Sequence, residues 1–84
     1  MLNVTTVVGV VGAGLVLLAF VLEQFHIWRD DELRYDLVNF IGGTLLVIYA
    51  LLVAAYPFAV LNGVWALVSL RDTIGDLRKN TIRS

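Results

Sequence analysis

The sequence predicts an all-α membrane protein, a bundle of three transmembrane helices, and three observations carry that reading. Hydrophobic residues make up 60% of the chain and charged residues 15%, where soluble domains run about 45–50% and about 25%. A chain of 84 residues cannot hide the excess, because small domains bury only about 60–70% of the surface that the unfolded chain exposes. The charges are also segregated: none lies between Val4 and Leu22, or between Leu37 and Leu70. Finally, a three-span topology places all six Lys and Arg on one side.

The predicted helix 1 covers about residues 4–26. Its apolar run, Val4 to Leu22, meets the roughly 17–25 residues that a helix needs to cross the hydrocarbon. A signal peptide is the rival reading. Against it, no Lys or Arg precedes the run and no small-residue cleavage pattern follows before Glu23. Thr5, Gly9 and Ala13 recur every fourth residue, with Gly12 and Gly14 beside them. Small residues at that spacing let two helix backbones approach closely in lipid.

The connecting segment holds Trp28, Arg29, Asp30, Asp31, Glu32 and Arg34. Trp28 suits a membrane interface, as does the neighbouring His26. Asp30 and Asp31 are expected to cap helix 2 and to meet the positive end of its dipole. Helix 2, about residues 35–55, carries the run Leu37 to Ala55, interrupted by Asn39, Thr44 and Tyr49. Gly42 and Gly43 are its close-packing residues, and Asp36 reads as a first-turn acid.

Helix 3 is predicted over about residues 57–74. Pro57 suits a helix start, where its missing N–H costs nothing, and Tyr56 suits the outer interface. The apolar run Phe58 to Leu70, broken by Asn62 and Ser69, rises only about 20 Å. Arg71 can lengthen it by snorkelling. Ala59 and Gly63 repeat the small-residue spacing. The tail 75–84 is expected to be cytoplasmic. Ile74 and Leu77, three apart, fit either a short amphipathic turn on the inner leaflet or a solvated end.

Orientation follows from charge. Arg29 and Arg34 in the first loop share a side with Arg71, Arg78, Lys79 and Arg83. The positive-inside rule makes that side cytoplasmic, with the N-terminus outside, in the plasma membrane of a prokaryote. The whole chain, 1–84, reads as a single membrane domain.

The polar residues within the spans are the candidate site. Polar groups in hydrocarbon usually face a bundle interior or a wet cavity. Asn62, Trp65 and Ser69 share one face of helix 3 with Phe58. Tyr35, Asn39, Gly42 and Tyr49 make a second face on helix 2. Two readings stand. In one, Asn39, Tyr49, Asn62, Trp65 and Ser69 line a cavity that binds a small polar solute. In the other, the two asparagines hydrogen-bond across a dry interface and hold the helices together. A wet cavity exposing Asn62 and Trp65 favours the first; asparagines bonded to backbone favour the second.

Other chemistry finds little purchase. There are no cysteines and one histidine, so no zinc set is available. No phosphate loop or catalytic triad is present, and the Gly9–Ala13 stretch lies inside an apolar span, so it is not a nucleotide motif. The net charge of −1 points away from nucleic acid. No enzyme activity, metal or cofactor is expected. The expected partners are the lipid bilayer, a second copy of the chain and possible small solutes.

The run from Leu46-Val47-Ile48-Tyr49 through Tyr56-Pro57-Phe58-Ala59-Val60-Leu61-Asn62 resembles the SemiSWEET family of bacterial half-transporters, which are of PQ-loop type. Those proteins have a Tyr near the end of helix 2, then a Pro opening helix 3 and an Asn five residues on. Ala19 to Gln24 is similar to that family's Pro-Gln segment. Tyr35-Asp36-Leu37-Val38-Asn39 with Leu61-Asn62-Gly63-Val64-Trp65-Ala66 looks closer still to an uncharacterised family of small bacterial membrane proteins of related fold. The resemblance covers most of residues 5–75. It implies a SemiSWEET-like bundle that works as a parallel homodimer and passes a sugar-like solute along its axis. Asn62 would then be a pocket residue, and Gln24 and Pro57 hinge or gating positions. Glu23 stands where those transporters have Pro, and Leu46 where their helix 2 has a pocket Trp. The alternative is a non-transporting scaffold or accessory subunit.

Overall fold

The computed structural model describes residues 3–83, with side chains described through Lys79. The fold is all-α: α1 is Val4–Gln24, α2 is Leu33–Leu52 and α3 is Tyr56–Arg83. Of these, α1 and α2 are long and apolar enough to cross a membrane. Only 17% and 33% of the residues in their most apolar stretches are buried inside the protein. The core helix of a soluble domain would be mostly buried. These helices instead turn Val10, Leu17, Phe20, Ile41 and Leu51 outward. The molecule measures 47 × 24 × 19 Å, longer than the ~30 Å hydrocarbon core.

The three helices form an open row rather than a closed bundle. α2 lies in the middle and packs against both neighbours, while α1 and α3 do not pack on each other.

Each helix end has a local cause. The side chain of Asn3 caps α1, its Oδ1 accepting from the Thr6 backbone N–H at 2.8 Å. α1 and α2 end alike. In both, the backbone N–H after the cap reaches back to the last turn: His26 N–H to Glu23 O and Ile27 N–H to Leu22 O after α1, Ala54 N–H to Leu51 O and Ala55 N–H to Ala50 O after α2. This pattern puts the residue after the cap in the left-handed region, usually as glycine. Here His26 (φ 62°) and Ala54 (φ 59°) occupy it. His26 thus has a backbone role that the sequence did not suggest.

The observed bounds revise several expectations. α2 starts two residues before the predicted 35, with Glu32 as its cap residue and no side-chain capping bond. Asp30 and Asp31 therefore do not cap it; Asp31 pairs with Arg29 at 3.2 Å. α3 does not end at residue 74 but continues unbroken to Arg83. The reason is packing. Ala59, Asn62, Ala66, Ser69, Thr73 and Asp76 are all buried, at alternating steps of three and four that form one stripe. The stripe lies against α2 down to Asp36, so the helix keeps a partner beyond the apolar run. The side chain of Arg83 and all of Ser84 lie outside the described residues.

Candidate functional site

The two faces of α2 differ in chemistry. Towards α1 it presents Gly42, Leu45, Leu46 and Tyr49. A Cβ on Gly12 would sit 2.9 Å from the Gly42 carbonyl oxygen, and one on Gly42 would sit 2.9 Å from the Gly12 carbonyl oxygen. The backbones therefore meet directly. The Tyr49 ring covers Gly9, where a Cβ would come within 2.6 Å of it. The small-residue spacing read on helix 1 is thus used inside the chain. Gly14 and Gly63 have open space around them.

Towards α3 the contact is polar. Buried polar or charged side chains in the described part of the chain are Asp36, Asn39, Asn62, Ser69, Thr73 and Asp76, all on α2 and α3. Polar atoms in a dry interface must find partners, and three of these side chains find theirs one turn back on the same helix. Asn39 Nδ2 donates to Tyr35 O at 2.8 Å, Asn62 Nδ2 to Phe58 O at 2.9 Å and Thr73 Oγ1 to Ser69 O at 2.7 Å. The Trp65–Asn39 bond crosses between the helices: Trp65 Nε1 donates to Asn39 Oδ1 at 3.2 Å.

The five residues predicted to line a cavity therefore part company. Asn39 and Trp65 come together. Asn62 and Ser69 lie on the buried α3 stripe, and Asn62, like Asn39, is bonded to its own helix. Tyr49 points the other way and lines an apolar groove of about 280 Å³ with Thr6, Gly9, Val10, Ala13, Leu46 and Phe58. Trp65 itself is 46% exposed, lying at the edge of the stripe. Gln24 and Pro57 sit at helix ends. Gln24 is the last residue of α1 and donates to Glu23 Oε2 at 3.0 Å; Pro57 lies in the first turn of α3.

At the end of the polar seam the first loop meets the C-terminal half of α3. A cleft of about 450 Å³ there is lined by Asp30, Asp31, Asp36, Arg71, Asp72, Gly75, Asp76 and Lys79. The Asp36 and Asp76 carboxyls come within hydrogen-bonding reach of each other. Both residues are more than nine-tenths buried, and Asp76 Oδ2 has no hydrogen-bond partner among the described residues. Nearby, Arg29 pairs with Asp31, and Arg34 pairs with Glu32 at 2.8 Å while stacking over the Trp28 ring at 5.3 Å. The Arg34 hydrogen bond holds the Glu32 carboxyl below the usual carboxylate range. Four of the basic residues, Arg29, Arg34, Arg71 and Lys79, thus gather at one end, as the charge pattern predicts.

Asp76 is the residue the sequence reading missed, because it lay in a segment read as a tail. The signal was the step pattern of small and polar residues, which runs past Arg71 without changing phase. Among the described residues, no three His, Asp or Glu side chains converge to hold a metal ion.

A family model matches residues 5–78, and the chain belongs to that family, which is uncharacterised. No curated protein matches the chain, and no solved structure does.

Proposed function

We propose that this member of the uncharacterised family is a three-span membrane protein with a structural role. In this reading it is a small subunit that holds itself, and a second copy, in the bilayer and moves no solute. Its N-terminus lies outside and its basic end in the cytoplasm. The third span is α3, whose uncharged segment Tyr56 to Leu70 is completed by Arg71 snorkelling to the interface. The observation that carries the reading is how the seam is satisfied. Both buried asparagines donate to carbonyls of their own helix, and Asn39 also accepts from Trp65. Each asparagine thus has a donor satisfied within its own helix, and the Asn39 oxygen is taken by Trp65. Gly63, with open space around it, is the surface for a second copy; Gly63→Leu should shift a dimer towards monomer in mild detergent.

A second reading is the SemiSWEET-like half-transporter, passing a small polar solute along a homodimer axis. It is supported by the continuity of the polar stripe from Asn62 to Asp76. Proteoliposome uptake with a panel of small sugars and amino acids separates the two. No uptake of any solute, together with a stability loss for Asn39→Leu, is the outcome expected of the structural role. Uptake that Asn62→Leu abolishes without a stability loss would establish the transporter instead.

A further inference from the structure

We propose that Asp36 and Asp76 form a binding site for one small inorganic cation, metal ion or proton, at the basic end of the α2–α3 seam. This does not rest on either reading of the protein's role.

Two buried carboxylates at hydrogen-bonding range repel unless a positive charge lies with them. A buried charge without a partner is costly, and proteins rarely keep one. Among the described residues, no ion pair supplies that charge to Asp36 or Asp76. Of the basic side chains lining the cleft, Arg71 is engaged by Asp72 at 3.2 Å, and no ion pair joins Lys79 to either acid. Arg29 and Arg34 are held by Asp31 and Glu32. Of the other acids lining the cleft, Asp31 and Asp72 are already paired with Arg29 and Arg71, and Asp30 adds to the negative field. Asp76 Oδ2 supplies the second, independent sign, being buried without a partner in the wall of the cleft.

The position matters as much as the charge. Asp36 lies one turn from Asn39 and Asp76 one short turn from Thr73, so the pair closes the polar stripe where α3 leaves the apolar run. A cation there would tie the start of α2 to the far end of α3. The cleft, at about 450 Å³, leaves room for an ion that keeps most of its water. Two carboxylate ligands and water suit a hard cation held weakly, in roughly the millimolar range of low-charge oxygen sites.

The test uses the full chain in mild detergent, with thermal unfolding as the readout. One arm is run under mildly alkaline conditions with sodium, magnesium or calcium chloride, against choline chloride at matched ionic strength. The other compares mildly acidic and mildly alkaline choline buffers. The melting temperature of the wild type should rise by several degrees with at least one of the metal ions or with acid. A metal response identifies a metal ion, and a response to acid alone a proton. Asp36→Asn and Asp76→Asn keep the side-chain shape and remove one charge. Each should melt higher than the wild type in alkaline choline and lose the response, while Asp31→Asn retains it. If one variant fails to fold, the other decides. Equal melting in every condition, or a wild-type response in both Asp→Asn variants, would overturn the site. So would loss of the response in Asp31→Asn, which would mark a diffuse surface effect.

Discussion

The two interfaces of α2 solve the same packing problem by different means. Against α1 it uses glycine: Gly12 and Gly42 bring backbone to backbone. Against α3 it uses small polar side chains, with Gly43 facing Ala66 and the Trp65–Asn39 bond as the crossing link. In lipid, apolar side chains gain little by leaving the solvent, so helices associate through close contact and through hydrogen bonds. The α1–α2 interface draws on the first source and the α2–α3 interface mainly on the second. The difference teaches that the first should fail by overpacking and the second by loss of a partner.

The largest effect should come from filling the glycine contact. Gly12→Ala or Gly42→Ala places a Cβ 2.9 Å from a carbonyl oxygen, and neither backbone can yield cheaply. Each should cost about 1–3 kcal/mol in unfolding measured in detergent, the usual range for overpacking. Gly14→Ala, in open space, should be close to neutral. An equal loss at all three positions would mean that helix flexibility, not contact, sets the cost.

The polar interface should respond to Asn39→Leu, which leaves Trp65 Nε1 without its acceptor. A loss of about 1–2 kcal/mol is expected. Trp65→Phe on that background should add little, because the coupled partner is already gone. A double-mutant cycle with no coupling would show that the bond contributes nothing.

A gain is expected at the turn between the two interfaces. Ala54 holds a left-handed conformation that costs an L-residue roughly 1–2 kcal/mol. Ala54→Gly should therefore stabilise by up to about 1 kcal/mol, after the greater freedom of unfolded glycine is subtracted. An unchanged stability would mean that the turn is not strained.

Asn62→Leu should cost less than Asn39→Leu, about 0.6 kcal/mol. Its amide donates only to the carbonyl of its own helix, which the backbone ladder already occupies. A loss as large as that of Asn39→Leu would reveal a partner beyond this chain.

The smallest effect belongs to Glu32, whose half-buried carboxyl is held down by Arg34. A lowered folded value means that the contribution is present above the unfolded pKa and is lost as pH falls through the folded one. Stability should dip slightly on acidification below the ordinary carboxylate range, and Glu32→Gln should remove that part of the dip. An identical acid profile in the variant would leave the Arg34 pair without a role.

The sequence alone determined the all-α class and the number of helices. Apolar runs of about 20 residues fit helices and are roughly twice the length of a barrel strand, and their lengths are counted directly from the residues. It also determined that the basic residues gather at one end, because helix order and alternating direction follow from the chain's connectivity. What only the tertiary structure decided is which helix lies in the middle and which small or polar residue meets which neighbour. Gly9 and Gly63 look equivalent in sequence, yet one is covered by Tyr49 and the other is open. Tyr49 and Asn39 share a helix and turn to opposite neighbours. Asp76 falls in a segment that reads as a tail, and only the packing of the α3 stripe against α2 down to Asp36 buries it. The physical reason is the same throughout. Helical periodicity fixes which residues share a face, but the partner of a face depends on contacts between segments far apart in the chain, and those are settled only when backbones pack.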